Sequence, residues 1–277
     1  MLTPDGKGGA TWSDFQTSNS AKALDRLSLT GVVGATAVTH DAGFVIGGVV
    51  GYSQPIHSIL KFNMSDRSIQ VSDKAVDFSP SQTLVGGSAE YIPSFGRHGL
   101  IMLLGGCWPN VLPQTVSYSE TPCADFKNIT FFDPITNEVY WQLATGSIPD
   151  APRQDFCTAG FATTDGGYDI FLYGGRGRDY GGSLPSWGYV LSLPAFRWIR
   201  MISTATGFEE TGEERAHHAC VAVGNRQVLV IGGEGKIRDL NKLLIWDMSK
   251  LNWKYSYDAE ALPYDRPTII DEWYRTG

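Results

Sequence analysis

Positive charge is what this chain has least of for its size. Lysine and arginine number 22 against 29 aspartates and glutamates, a net charge of −7, and only 18% of residues are charged. A surface that binds phosphodiesters needs a basic excess or a basic stripe. The sequence offers neither, so nucleic acid is excluded as a partner. Long apolar runs are missing too: none reaches the ~18 residues needed to cross a bilayer, so no transmembrane segment is expected. The opening stretch MLTPDGKGGATWSDF has no apolar core of the signal-peptide kind. Cysteine is scarce, and Cys107, Cys123, Cys157 and Cys220 show neither C-x-x-C nor the paired spacing of a zinc site. Their even number permits two disulfides. After Gly232-Gly233 the chain reads Glu234-Gly235-Lys236-Ile237-Arg238-Asp239, with no hydroxyl following the lysine, which excludes a phosphate-cradling loop. No metal and no cofactor are expected, and no serine, cysteine or threonine nucleophile stands out.

Glycine and aromatics are plentiful instead, with 32 glycines and 12% aromatic residues. Much of the glycine falls in one recurring ending: GFVIGG, LIMLLGG, DIFLYGG and VLVIGG, in which the pairs are Gly47-Gly48, Gly105-Gly106, Gly174-Gly175 and Gly232-Gly233. The first glycines lie 58, 69 and 58 residues apart. Such spacing indicates a propeller or a solenoid. Each unit runs in the same order: an alternating strand, a short turn, an apolar strand ending at the glycine pair, a loop, then two further strands. The last strand carries a tryptophan in three units (Trp141, Trp198, Trp253) and Ile69 in the first. Short β-branched and aromatic strands joined by turn formers such as Asp133-Pro134-Ile135-Thr136-Asn137 predict antiparallel meanders.

Four strands per unit with a double glycine and a late tryptophan resemble the kelch repeat of β-propellers, over roughly residues 30 to 258. In detail the units look like those of fungal kelch-repeat proteins, many of which carry a signal peptide and a membrane anchor. The resemblance implies an all-β, single-domain propeller with blades near 30–72, 88–145, 154–203 and 215–258. Segments 1–29, where Trp12 looks like a fourth strand, and 259–277 are expected as partial-blade strands. Kelch rings usually hold six or seven blades, so an incomplete ring is expected over a compact four-bladed one. The late tryptophans are expected to wedge between blades, and the eight paired glycines to permit close backbone approach.

Successive connections of a meander alternate ends, so first-to-second and third-to-fourth turns share one end. Those turns are short. The long loops share the other, and binding is expected there. Segment 107–128 is rich in proline, with Cys107 and Cys123 placed to clip its base and Trp108 beside them. Segment 176–187 offers Arg176, Arg178, Tyr180 and Trp187, a composition typical of protein-binding hot spots. Arg153 and Arg215 precede the innermost strands of their blades, near the channel mouth. The resemblance implies arginines presented to acidic peptides; the other reading is structural arginines bonded to a neighbouring blade's carbonyls. His217 and His218 point to opposite sides of a strand and cannot share a metal, so a core or channel histidine is expected. Sequons at Asn63 and Asn128 are glycosylation candidates. They favour an extracellular or cell-surface setting if a targeting segment precedes this sequence, and the cytoplasm otherwise.

The sequence therefore predicts a non-catalytic module that binds a protein or a glycan through its long loops. Two alternatives are carried. One is a copper-dependent carbohydrate oxidase, which shares kelch-type blades but needs two histidines, two tyrosines and a cysteine-crosslinked tyrosine around one copper. The five histidines here (His40, His57, His98, His217, His218) are spread over different strands and turns, and the single TTDGG turn at 163–167 only partly matches a sialidase aspartate box. The other is a truncated ring with no function of its own.

Overall fold

The structure is a computed structural model that describes residues 2–4, 10–12, 34–50, 54–72, 83, 85–107, 123–150, 152–177, 188–201, 215–235 and 243–276. Strands β1 (Leu2–Pro4) and β2 (Ala10–Trp12) form a two-stranded ribbon. The first blade consists of β3 (Ala35–Val38) and β4 (Ala42–Ile46), a small ribbon of β5 (Val49–Val50) with β6 (Gln54–Pro55), then β7 (Ile59–Asn63) and β8 (Ile69–Ser72). The second holds β9 (Ser88–Ile92), β10 (Leu100–Leu104), β11 (Asn128–Phe132) and β12 (Val139–Leu143). A short β13 (Thr145–Gly146) then runs parallel to the outer edge of the third blade, which holds β14 (Gln154–Ala162), β15 (Tyr168–Arg176), β16 (Tyr189–Leu193) and β17 (Arg197–Arg200). Strands β18 (Ala216–Val223), β19 (Gln227–Glu234), β20 (Leu244–Asp247) and β21 (Asn252–Lys254) make the fourth, and helix α1 (Thr268–Thr276) follows. The four expected meander blades are present, and every pairing within them is antiparallel.

Each blade must cover both faces of its sheet, which is why its second strand reads as an unbroken apolar run. Leu100–Leu104 and Tyr168–Arg176 are buried on nearly every residue. Three cores lie between blades: Phe44, Ile46, Ile101 and Phe132 between the first and second; Phe126, Phe131, Leu172 and Trp198 between the second and third; Phe171, Tyr173, Trp246 and Trp253 between the third and fourth. The hairpins joining third to fourth strands repeat one device. Asn63, Asp133 and Asp247 each accept two backbone N–H groups with Oδ1, and Arg67, Asn137 and Leu251 close the turns at positive φ.

Trp198 and Trp253 are buried wedges, and the Trp198 indole N–H donates to the Phe126 carbonyl at 2.8 Å. Trp141 is not: it is 65% exposed, beside the also exposed Tyr140 and Leu143. By register it lies opposite Thr130 on the face turned to the first blade, but there the core gathers around Phe132, Ile101 and Leu103, on the inner strands. The C-terminal end also differs from expectation: within 259–277, Thr268–Thr276 form helix α1 in place of a blade strand. The reason is local: Pro267 accepts from Ile270 and Asp271 in the first turn, Ile270 and Tyr274 share one face, and Asp271 pairs with Arg275 one turn on, at 2.6 Å. Strand β2, with Trp12, pairs with β1 in a separate ribbon and is not a blade strand among the described residues.

This C-terminal segment is lashed across the short-turn end of the last two blades. The Gln227 amide exchanges two hydrogen bonds with the Asp258 backbone, and Asn225 donates to Ala261. Tyr264 and Arg266 then reach the third blade, where both bond Asp169, whose other oxygen accepts from Ser192. Arg266 also grips Asp165 in the 163–167 turn. The Tyr274 hydroxyl receives the Ala195 amide in the neighbouring turn.

Candidate binding site at the channel

The innermost strands β3, β9, β14 and β18 pack side by side in chain order and surround a central cavity of about 650 Å³. Its mouth at the long-loop end is shaped by the glycine pairs. In three blades the second glycine (Gly106, Gly175, Gly233; φ 84°, 91°, 96°) faces another left-handed residue across the ladder. That residue is Gly86 in the second blade (φ 67°), but Asp155 in the third (59°) and His217 in the fourth (55°). The kink turns the glycine N–H outward to the next blade: Gly106 donates to the Arg153 carbonyl at 3.0 Å and Gly175 to the Arg215 carbonyl at 2.8 Å. In the first blade Gly48 donates instead to the fully buried hydroxyl of Thr83. A Cβ on Gly175 would lie 2.8 Å from the Gln154 carbonyl oxygen, so the approach itself requires glycine.

Non-glycine residues at positive φ are strained positions, and two in equivalent places mark the mouth as specialised. Around them stands a charged chain of contacts. Arg176 Nε meets Asp155 Oδ2 at 2.6 Å, His217 Nδ1 lies 3.5 Å from Asp155 Oδ1, and His217 Nε2 lies 3.3 Å from Glu234. Asp155 is enclosed, while the His217 and Glu234 side chains are 40% and 66% exposed. Of the predicted residues the structure thus brings Arg176 to the mouth. Asp155, His217 and Glu234 were not foreseen as its partners; the signal was that all of them fall at, or next to, positions aligned with the glycine pair.

Arg153 is 1% exposed: its guanidinium donates to the Gly174 carbonyl of its own blade and lies over the rings of Phe126 and Tyr189. Arg215 is 5% exposed and donates in the same way to Gly232. Both guanidiniums thus bond a carbonyl of their own blade, where the structural reading expected a neighbouring blade's carbonyl. Trp108, Arg178, Tyr180 and Trp187 lie outside the described residues. Both disulfides form: Cys107–Cys123 closes the base of the 108–122 connection, and Cys157–Cys220 ties β14 to β18. Asn128 begins β11 in an exposed position, and Asn63 caps its hairpin through Oδ1.

Deeper in the cavity, Glu90 accepts from the Tyr168 hydroxyl at 3.2 Å and from Thr158 at 3.4 Å, and Thr158 shares a 2.6 Å hydrogen bond with Ser88. Burial pushes the Glu90 carboxyl up to about 6, against the pull of those hydroxyls. The Tyr168 phenol is raised, chiefly by burial and then by Glu90. On the facing wall, burial and the nearby Arg215 charge hold the His218 imidazole down to about 4.

Four meander blades around a channel, each with its glycine pair kinked at the mouth, define a kelch-type β-propeller. No known family profile matches the chain. It is 28% identical over 181 residues to a kelch repeat-containing protein of Arthroderma benhamiae, an alignment covering 62% of this chain and 24% of that protein. The aligned region thus spans about a quarter of the relative's length.

Proposed function

We propose that this propeller is a non-catalytic binding module that takes a protein partner, with a glycan as the second candidate, at the long-loop end of its channel. One observation carries the choice of end. The C-terminal segment of the chain itself occupies the short-turn end of the third and fourth blades, through Asn225, Gln227, Asp165, Asp169 and Ala195. The opposite end holds the kinked glycine pairs, the partly buried Arg176 guanidinium and the exposed His217 and Glu234 side chains. The described residues that flank 108–122, 178–187 and 236–242 lie at that same end, where binding by inter-strand connections is expected. Mixed charges around an enclosed carboxylate fit a partner that presents both signs.

The oxidase alternative requires a cysteine free to crosslink to tyrosine, whereas all four cysteines are in disulfides. His40 and His98 sit in short turns, far along the strands from His217 and His218. The test compares wild type with an Arg176→Glu/Glu234→Arg variant of matched melting temperature, as bait for secreted and cell-surface proteins and on a glycan array. Retention of one ligand by wild type, reduced at least about tenfold in the variant, supports the reading. Equal retention by both, or carbohydrate oxidation by copper-loaded protein, overturns it.

A further inference from the structure

The third and fourth blades meet at a sulfur and nitrogen cluster that the binding reading leaves unused. Cys157 on β14 and Cys220 on β18 face each other across the blade gap, and His218 precedes Cys220 by two residues, so period-two alternation puts both on one face. The two sulfurs and a ring nitrogen of His218 all lie within 4.8 Å of one another, and the three residues line the central cavity. His218 is 8% exposed. Its Nε2 lies 3.2 Å from the Tyr173 carbonyl, while Nδ1 is buried without a hydrogen-bond partner. A backbone carbonyl that takes one ring N–H leaves the lone pair of the other nitrogen free, which is how metal-binding histidines are usually set.

We propose that, once the Cys157–Cys220 disulfide is opened, Cys157, Cys220 and His218 form a binding site for one thiophilic d10 cation of the zinc class, with its remaining coordination position turned to the cavity. Opening is thiol exchange: two equivalents of a low-molecular-weight thiol reduce the bridge and leave as their own disulfide. The cation then displaces the two cysteine protons. Two thiolates at about 2.3 Å and an imidazole at about 2.0 Å from the ion require ligand atoms spaced roughly 3.5–3.8 Å apart, between the bonded sulfurs and the present outer limit of the cluster. Exchange with a low-molecular-weight disulfide, which leaves as two thiols, re-forms the bridge and ejects the ion, so disulfide and metal are alternative clamps on the same pair of blades.

The experiment loads the full chain with zinc in its disulfide form and, anaerobically, in its phosphine-reduced form. Metal retained through desalting is counted, and melting is followed by near-ultraviolet circular dichroism. The expected result is one zinc per chain in the reduced protein beyond that retained by a Cys157→Ser/Cys220→Ser variant, which keeps Cys107 and Cys123, and no such zinc in the oxidised protein. His218→Asn should weaken zinc binding at least about tenfold, and zinc should raise the melting temperature of the reduced wild type only. Should the reduced chain lose its native spectrum, zinc must restore it. Zinc retention equal to that of the double-serine variant, affinity unmoved by His218→Asn, or no effect of zinc on the reduced protein's melting or spectrum overturns the proposal.

Discussion

Glu90 and His218 line one cavity and pull stability in opposite directions with pH. The folded carboxyl titrates near 6 against an ordinary 4.5. Between those values the folded state holds the proton that the unfolded chain releases, so stability falls as pH rises, by about 2 kcal/mol in all. The folded imidazole titrates near 4 against 6.5, so the unfolded chain takes a proton that the folded one refuses, and stability rises over that window by about 3 kcal/mol. Each variant should unmask the other residue. Relative to wild type, Glu90→Gln should steepen the rise in unfolding free energy from pH 4 to 6.5, and His218→Asn should turn it into a decline between 4.5 and 6, both read from urea unfolding across that range. The sequence told part of this. Strand alternation alone set His217 and His218 on opposite sides. It could not show that Asp155 and His217 adopt a conformation usually left to glycine, because each is set by the ladder that places it opposite a positive-φ glycine, Gly175 and Gly233. Nor did it show that Arg153 and Arg215 turn back onto their own blades.

At the level of strands and helix, burial separates residues that the repeat makes equivalent. Trp198→Ala should cost about 3–5 kcal/mol, since a buried indole with a bonded N–H is lost between two blades, whereas Trp141→Ala should change stability by less than about 1 kcal/mol. Chemical denaturation of the two variants makes the comparison. The repeat pattern marks which face a tryptophan turns to; it does not report how far out the adjoining core extends, which is why Trp141 was misjudged. The C-terminal helix was hidden by the expectation of a closing strand, although the isoleucine, tryptophan and tyrosine of TIIDEWYRT fall at helical spacing. Its clasp is testable. Arg266→Ala leaves Asp169, with a fully buried side chain, without its cation, and should cost about 3 kcal/mol and speed proteolysis after residue 254.

For the molecule as a whole, the four blades, their order and the glycine ending of each second strand were legible because one pattern was written four times. The channel chemistry was less so, since Glu90, Tyr168, Thr158 and the Cys157–Cys220 bridge come from different blades and meet only when the strands converge. That bridge spans 63 residues and Cys107–Cys123 spans 16, so on loop-closure grounds removing the first should cost about 4 kcal/mol and removing the second about 3. Unfolding of the two double-alanine variants ranks them. In the second and third blades the second glycine hands its amide to the carbonyl that opens the following blade. The third unit thus carries both a plug for its successor and a socket for its predecessor, so a gene can lengthen or shorten such an array by duplicating or excising units of this kind without inventing a new joint.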